Sequence, residues 1–407
     1  METIQKVTPF ETIYDYIIVG GGIAGLYANW KLTNKKKSCL LLEREDVLGG
    51  RAYETDFHGT QIKMGAGIME NHNKHLLKLL KKLNIVPNKF KGSFESIPPM
   101  ERNINKMIMM IKEKYNAVAT QKITMKEFLI KYFGKEFTKE FIEQCEYADW
   151  LESDVDYFIN YYKIDDMKSG SYNALIIEWT DLINRLTLPN CIVGIEVTKI
   201  KKSGEHFIVK TNFAGNSNSY TTKNIIMATT LKPLNQLIRM KDWKYSDMIG
   251  TVPFVRIYVW NKTAILKDSE SIPHYFHVDN ELQKIIKINK NVLMASYSDN
   301  KNAKYWIGIN KLATRRASAR RANARKIIKI VQEKLEQVLP NNINKIEDII
   351  IVTWDEGVHY YKPYTIDFDK LLHKLANPIK GVQVVGEIVS KKVGWVEGAV
   401  ESVDRIL

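Results

Sequence analysis

Apolar residues recur along the chain at spacings that predict alternating strands and helices. An apolar strand at Tyr16–Val19 leads into a glycine-rich turn and then into a helical pattern that includes Leu26 and Trp30. A second apolar strand, Cys39–Leu42, follows. This order of strand, turn, helix and strand is typical of an α/β fold with a parallel sheet.

In the segment that follows the second strand, the apolar residues recur at a helical period. Leucines recur at helical spacing, at Leu76, Leu77, Leu80 and Leu83. Thr124 and Glu127 form a capping-box pattern before Phe128 and Leu129. We therefore predict that residues 73–185 are mainly helical.

Between residues 250 and 300 the period shortens to two. Val255, Ile257 and Val259 alternate with Arg256, Tyr258 and Trp260, and an apolar run begins at Val292. Both patterns predict strands of a sheet. A long helix at about 313–339 is predicted next.

The spacing of the glycines in the turn after the first strand indicates a binding role for this turn. Gly20 permits a tight turn, Gly22 lets the backbone approach a pyrophosphate, and Gly25 allows close packing of helix on strand. The first helix then offers free N–H groups to phosphates. Glu43, at the end of the second strand, is placed to accept hydrogen bonds from the ribose of an adenosine, so the sequence predicts a dinucleotide site.

Four further segments contain glycine motifs: Gly49-Gly50-Arg51, Gly65-Ala66-Gly67, Gly386-Glu387 and Gly394-Trp395-Val396-Glu397-Gly398-Ala399. They resemble motifs of the flavin amine oxidase family, which includes monoamine and polyamine oxidases and their protoporphyrinogen oxidase and desaturase relatives. Nicotinamide dehydrogenases lack these segments, and their order along the chain is the order in the family. The resemblance implies an α/β fold with a Rossmann-like FAD-binding domain of the GR2 type and an inserted α+β substrate-binding domain.

The resemblance also implies which residues hold FAD. We expect cofactor contacts from Gly20, Gly22, Ile23, Ala24, Gly25, Glu43, Arg44, Gly49, Gly50, Arg51, Gly65, Ala66, Gly67, Ile68, Val197, Ala228, Gly386, Glu387, Gly394, Trp395, Val396 and Ala399. Gly194–Val197 and Ile225–Ala228 are expected to be strands. At 407 residues about two domains are expected. We assign the FAD-binding domain to 1–72, 187–250 and 376–407, and the substrate domain to 73–186 and 251–375.

The predicted reaction centre departs from the family at one position. Most family oxidases place a lysine on a substrate-domain strand near flavin N5, where this chain has Arg256. Arginine keeps the charge but cannot release its proton, and its fork is bulkier than an ammonium. The alternative interpretation makes Arg256 a sheet residue paired with an acid.

Two aromatic rings commonly confine the amine in this family. Trp395 matches one, and we select Tyr361 for the other, with Tyr360 in reserve; core packing is the alternative for the tyrosines. His359 offers a second way to hold the flavin, by covalent attachment. No cysteine occurs in this region, so noncovalent FAD is the simpler expectation.

The predicted function is an FAD-dependent, amine oxidase-like oxidoreductase that transfers hydride from a C–N bond to flavin, with a small-molecule amine or related substrate and molecular oxygen as partners. One alternative is a desaturase-like or protoporphyrinogen-oxidase-like flavoenzyme, and another is a non-catalytic flavin-fold binding or assembly protein. A net charge of +14 opposes polycationic substrates at long range. The local acids Asp149, Glu152 and Asp154 could reverse this effect.

The long helix carries a dense set of basic residues: Arg315, Arg316, Arg320, Arg321, Arg325, Lys326 and Lys329. Such a stripe can bind nucleic acid or an acidic partner. We favour a solvated helix face whose apolar side packs inward through Ile327, Ile330, Val331 and Leu335.

Cysteine usage and hydropathy favour a soluble cytoplasmic protein. Cys39, Cys145 and Cys191 show no metal-binding or C-x-x-C spacing, so we predict free thiols in a reducing compartment and no metal site. No signal peptide, anchoring tail or apolar run of roughly 20 residues is evident, so we expect no membrane association. Abundant lysine, asparagine and isoleucine are common in AT-rich genomes of large DNA viruses and some protists, and for a viral protein the host cytoplasm or the virion would be the location.

Overall fold

A computed structural model describes residues 12–92, 95–97, 99, 103–118, 122–145, 147–162, 172–238, 243–311 and 317–407 of the chain. The strands are β1 (Ile13–Val19), β2 (Cys39–Leu42), β3 (Glu54–Phe57), β4 (Thr60–Lys63), β5 (Met69–Glu70), β6 (Asn88–Gly92), β7 (Ser96–Ile97), β8 (Tyr172–Ile176), β9 (Cys191–Ile192), β10 (Glu196–Ser203), β11 (His206–Phe213), β12 (Asn216–Met227), β13 (Ile249–Trp260), β14 (Tyr275–Val278), β15 (Lys284–Lys287), β16 (Val292–Asp299), β17 (Asp348–Tyr361) and β18 (Val382–Val384).

The helices alternate with these strands in the first part of the chain and cluster between them later. They are α1 (Ile23–Asn34), α2 (Lys74–Lys82), α3 (Ile104–Ala117), α4 (Met125–Cys145), α5 (Val155–Tyr157), α6 (Trp179–Leu186), α7 (Leu231–Leu237), α8 (Asn300–Lys311), α9 (Ala317–Val338), α10 (Phe368–Ala376) and α11 (Val396–Ile406). Within the described ranges, no helix is both long and apolar enough to cross a bilayer.

A seven-stranded sheet forms one half of the molecule. Its order is β10-β11-β12-β1-β2-β9, with β18 paired to β12. Strands β1, β2, β9, β12 and β18 pair in parallel, and β10 to β12 form an antiparallel meander. The family-based domain boundaries remain a prediction, although this sheet takes its strands from 13–42, 191–227 and 382–384, which lie inside the three segments assigned to the FAD-binding domain.

Both faces of this sheet are buried, which explains its continuous apolar strands. In β1, Ile17 and Val19 contribute to one hydrophobic cluster and Ile18 to the other. Ile225 and Ile226 divide in the same way on β12. The predicted strands Tyr16–Val19 and Cys39–Leu42 are confirmed; the predicted strand at Gly194–Val197 begins only at Glu196, because Gly194 turns the chain at φ +74°.

A six-stranded sheet forms the other half, in the order β17-β13-β16-β15-β14-β7. The predicted alternation along β13 is confirmed: Val255, Ile257 and Val259 are fully buried in the core of this half. Arg256 therefore lies on the opposite face, in register with Tyr297 of β16.

The described part of residues 73–185 is mainly helical, as predicted, and the capping box is confirmed. The Thr124 N–H donates to Glu127 Oε2 at 2.8 Å, and the Glu127 N–H donates to Thr124 Oγ1 at 3.1 Å. The segment also contains strands that the leucine pattern did not predict, since β8 pairs with both β5 and β6. These strands are five residues long or shorter, too short for an alternating pattern to stand out.

Helix α9 buries the side that the sequence predicted. Ile327, Val331 and Leu335 lie in the core under the six-stranded sheet, with Ile330 packed against it. Arg325, Lys326 and Lys329 are exposed, and Lys329 lies 3.9 Å from Glu333. Arg315 and Arg316, and the side chains of Arg320 and Arg321, lie outside the described residues. The described part of α9 thus matches a solvated face on an inward-packed helix.

Candidate active site

One cavity of about 1210 Å³ takes its walls from both large sheets. This exceeds the roughly 300–1,000 Å³ of ordinary ligand pockets, so it has room for a large ligand and a second, smaller one. Of the predicted cofactor residues, those that line it are Gly20, Gly22, Ile23, Ala24, Glu43, Arg44, Gly49, Gly50, Arg51, Gly65, Ala66, Gly67, Ile68, Val197, Ala228, Gly386, Glu387, Gly394, Trp395, Val396 and Ala399.

The glycines after β1 have the separate uses that their spacing predicted. Gly20 has φ +106°, and a Cβ there would lie 2.6 Å from the Ala228 carbonyl oxygen. A Cβ on Gly25 would lie 1.9 Å from the Gly20 carbonyl oxygen, so Gly25 serves helix–strand packing and does not line the cavity. A Cβ on Gly22 would meet no protein atom within 4 Å.

The open space at Gly22 leaves room for a ligand beside this turn. Gly22 precedes α1 and supplies no side-chain cap, so the first N–H groups of the helix are available to an anion. The surrounding protein does not require glycine at this position, whereas a ligand in close contact with the backbone would. The turn is therefore suited to the pyrophosphate of a dinucleotide.

Glu43 lies where β2 ends, beside the same turn. Its carboxylate accepts hydrogen bonds from the Gly21 N–H at 2.5 Å and from the Glu45 N–H at 2.9 Å. Arg44 is exposed and pairs with Glu45 at 2.7 Å. Two backbone donors fix the Glu43 carboxylate and leave its remaining lone pairs for a ligand such as a ribose.

A second pair of turns packs directly against the first. The Gly49 N–H donates to the Gly21 carbonyl at 2.8 Å, and the Ala66 N–H donates to the Arg51 carbonyl at 2.7 Å. A Cβ on Gly65 would lie 2.1 Å from that Arg51 oxygen, so close approach requires glycine there. The two segments that resemble the flavin family thus form one continuous wall.

A buried charge network joins this wall to the C-terminal segment. Arg51 Nη1 donates to Glu387 Oε1 at 2.8 Å and to the Gly357 carbonyl at 2.7 Å. Glu387 also contacts His359 Nδ1 and accepts the Gly394 N–H at 3.0 Å. Burial alone would raise the pKa of Glu387, but His359 and Arg51 lower it below its ordinary value.

This network also decides the role of His359. Its Nε2 accepts the Leu231 N–H at 3.3 Å while Nδ1 faces Glu387, so both ring nitrogens are engaged. His359 is 1 % exposed and is absent from the cavity wall. The alternative of covalent flavin attachment through His359 is therefore wrong, and the ring instead positions Glu387.

Arg256 is brought to the cavity wall beside the Gly65–Gly67 turn. A Cβ on Gly67 would lie 3.5 Å from Arg256 Nη2. Arg256 Nη1 donates to the Lys63 carbonyl at 3.0 Å, and the guanidinium stacks on Tyr297, 4.5 Å from the ring centroid. The guanidinium contacts a carbonyl and aromatic groups and pairs with no carboxylate of the described residues, so the alternative of an Arg256–acid pair is wrong.

The selection of Tyr361 as an aromatic wall is wrong. Tyr361 is fully buried in the core, and its hydroxyl donates to the carbonyls of Ile388 and Ser390, each at 3.0 Å. Tyr360 does not line the cavity either, because its ring lies over Gly250, where a Cβ would be 2.1 Å from the ring. Trp395 does line it, immediately before α11.

Several polar and aromatic residues of the cavity wall were not predicted as site residues. They are Tyr147, Tyr162, Phe254, Tyr258, Tyr297 and Trp354. The alternation along β13 contained the signal for Phe254 and Tyr258, since both share a face with Arg256. Of the three local acids, Asp149 lines the cavity, Glu152 is exposed, and Asp154 is a buried helix cap.

Asp149 has few hydrogen bonds for a buried carboxyl. Its Tyr162 contact measures 3.5 Å, and Oδ1 has no hydrogen-bond partner among the described residues. Burial and the nearby Asp299 charge raise the pKa of Asp149, whereas Lys284 lowers it.

In the part of the chain that the structure describes, no group of three or more residues is suited to hold a metal ion.

Comparison with known families agrees with this geometry. A sequence model of the NAD(P)-binding Rossmann-like domain matches residues 18–83, which contain the Gly22 turn. The model of the flavin containing amine oxidoreductase family matches residues 190–405, more than half of the 407 residues. The chain belongs to this family. The predicted fold class is thereby confirmed, and FAD is the cofactor.

Curated relatives match shorter stretches. Over 75 residues the chain is 41% identical to (S)-6-hydroxynicotine oxidase of Paenarthrobacter nicotinovorans, covering 18% of this chain and 17% of the relative. Over 86 residues it is 30% identical to flavin-containing amine oxidase A of Bos taurus, covering 21% and 16%. Over 60 residues it is 42% identical to an FAD-dependent oxidoreductase of Emericella nidulans, covering 14% and 13%. Each match covers less than a fifth of the relative.

Proposed function

We propose that the protein is an FAD-dependent amine oxidase that oxidises a C–N bond and passes the electrons to molecular oxygen. The observation that carries the proposal is the continuity of one cavity from the open turn at Gly22 to Arg256 and Trp395. A dinucleotide cofactor and a small substrate would share this space.

The residues that would hold FAD follow from their place in the wall. Glu43 and Val197 would bind the adenosine, and the Gly22 turn with Gly50 would bind the phosphates. Gly65–Gly67 and Gly394–Val396 would lie along the flavin ring. When bound, FAD supplies the hydride-accepting ring, which is the chemistry that no side chain of this site can supply.

The chain's own contribution is positioning, desolvation and charge. An amine gives up hydride readily only when its nitrogen is neutral, and an aromatic, water-poor wall lowers the pKa of a bound ammonium. Trp395 and Tyr297 provide such a wall, and Arg256 keeps a positive charge beside it. The substrate would lose a hydride from carbon and a proton from nitrogen to give an imine, and oxygen would be reduced to hydrogen peroxide.

Anaerobic titration with amines tests the proposal. FAD-loaded protein is mixed with a panel of monoamines, diamines and amino acids while the visible absorbance of oxidised flavin is followed. Bleaching by at least one amine is expected. If dithionite bleaches the flavin and no amine does, the protein is not an amine oxidase, and the desaturase-like and non-catalytic alternatives are favoured instead.

A further inference from the structure

Asp149 is an unusual residue in the cavity wall because it is buried and one of its two carboxylate oxygens has no hydrogen-bond donor among the described residues. The residue is 8 % exposed, its Oδ2 lies 3.5 Å from the Tyr162 hydroxyl, and its Oδ1 has no hydrogen-bond partner among the described residues. Leaving a buried carboxylate unsatisfied costs free energy. A buried carboxylate oxygen that lines a ligand cavity and has no donor from the protein is suited to accept a hydrogen bond from a ligand.

Other buried carboxylates of the structure are satisfied by the protein. Asp299 accepts the Ala148 N–H and the Gln283 amide, each at 3.0 Å. Asp154 accepts the Tyr157 N–H at 3.0 Å. Asp149 differs from both, because among the described residues its Oδ1 has no donor and its Oδ2 has only the 3.5 Å contact with Tyr162.

The aromatic rings around Asp149 are suited to a cation. Tyr147, Tyr162 and Tyr297 line the cavity, and aromatic faces attract cations. The charged groups nearby are Asp299, Lys284 and, beyond Tyr297, Arg256. Lys284 Nζ lies 2.8 Å from the Tyr147 ring centroid and 4.7 Å from that of Tyr297. The two cationic side chains thus lie against tyrosine rings.

We propose that Asp149 binds a second, protonated nitrogen of the substrate, so that the site selects amines with two nitrogen atoms. The proposal rests on the proposed function, and it assigns the neutral, reacting nitrogen to the Trp395 end of the cavity and the ammonium to Asp149. A cation is preferred over a neutral donor because it offsets the charge of a buried carboxylate as well as hydrogen bonding to it. Asp149 thereby counteracts locally the repulsion expected from the net charge of +14.

Two measurements on the FAD-loaded full chain test the proposal. A series of straight-chain diamines from diaminopropane to diaminodecane is compared with alkylamines in which a methyl group replaces the far nitrogen, and with the matching amino alcohols. Binding is measured by isothermal titration calorimetry, and anaerobic flavin reduction is measured separately. The variants are Asp149→Asn and, as a control on the same segment, Glu152→Gln, whose acid is exposed and lies 4.0 Å from Lys126.

For the best chain length, wild type and Glu152→Gln should bind the diamine about tenfold or more tightly than the matched alkylamine. Asp149→Asn should bring this ratio close to one. No diamine preference in wild type, a preference retained in Asp149→Asn, or tighter binding of the amino alcohol than of the diamine would each overturn the proposal. The two measurements separate the two hypotheses. If the protein prefers diamines but no amine reduces the flavin, the proposed function is wrong. If amines reduce the flavin but diamines are not preferred, the proposed role of Asp149 is wrong.

Discussion

At the scale of single residues, the site depends on a few side chains whose surroundings define what they can do. Glu43 is held by two backbone N–H groups and faces the cavity. Arg256 is held by a carbonyl and a tyrosine ring. Under the proposed function, Glu43 would bind the adenosine of FAD and Arg256 would lie at the reacting end of the cavity.

Replacing Glu43 by alanine should weaken FAD binding. The loss of a charge-assisted hydrogen bond to ribose costs about 1.5–3 kcal/mol, which corresponds to roughly ten- to a hundredfold in the dissociation constant. Fluorescence titration of the apoprotein with FAD measures the dissociation constant. The control variant is Glu205→Ala, in the exposed turn between β10 and β11. Unchanged affinity in Glu43→Ala would place the adenosine elsewhere.

Arg256 should make the reoxidation of reduced flavin by oxygen slow. Its guanidinium cannot release a proton and fills the space in which a shorter ammonium could hold a water or oxygen. Arg256→Lys should therefore accelerate reoxidation by about tenfold or more, and Arg256→Met should not. Stopped-flow mixing of dithionite-reduced protein with oxygen gives the rates, and equal rates in all three proteins would remove Arg256 from the reaction centre.

At the scale of elements, the cavity depends on contacts that join β17, the turn after β18 and the start of α11. Glu387 is central to them, since it contacts His359 of β17, Arg51 and the Gly394 N–H. The contact between Arg51 and Glu387 connects segments more than 300 residues apart in the sequence. It explains why the two ends of the chain form one wall.

Glu387→Gln should destabilise the fold by about 3–5 kcal/mol, because it leaves the charge of Arg51 without its buried partner. Since the pKa of Glu387 is lowered, the carboxylate stabilises the fold above its ordinary value of 4.5, and this contribution is lost as the pH falls. Denaturant unfolding measures both effects. Glu333→Gln, which removes an exposed pair on α9, should change stability by less than about 1 kcal/mol; a similar loss in both variants would contradict the role of Glu387.

Asp154, the cap of α5, should make the protein less stable as the pH rises. Burial raises its pKa to about 6, above the ordinary 3.8, so the folded state binds more protons than the unfolded state between these values. The free energy of unfolding should fall by about 2–3 kcal/mol across this range. Asp154→Asn keeps a capping side chain and should flatten the dependence in that range, while Asp367→Asn at the exposed cap of α10 should follow wild type. Parallel curves for all three proteins would contradict this assignment.

At the scale of the whole molecule, the glycine segments could be predicted because backbone geometry requires them. Gly20 needs a positive φ, and Gly25 and Gly65 need close approach, so their spacing in the sequence carries the information. The sequence carries less information about aromatic residues, because core positions and cavity walls are both rich in them. Tyr361 lies in the core and Trp395 in the cavity wall. Which one faces the cavity depends on packing between distant segments, and the same holds for Asp149.

Acid precipitation of the purified protein shows whether the cavity holds FAD. The full chain should be yellow, or become yellow on incubation with FAD, and the acid supernatant should contain about one FAD per chain, because neither a cysteine nor His359 is placed to attach the flavin. A protein that stays colourless and binds no added FAD would contradict FAD binding, and a protein whose flavin remains in the precipitate would contradict noncovalent attachment.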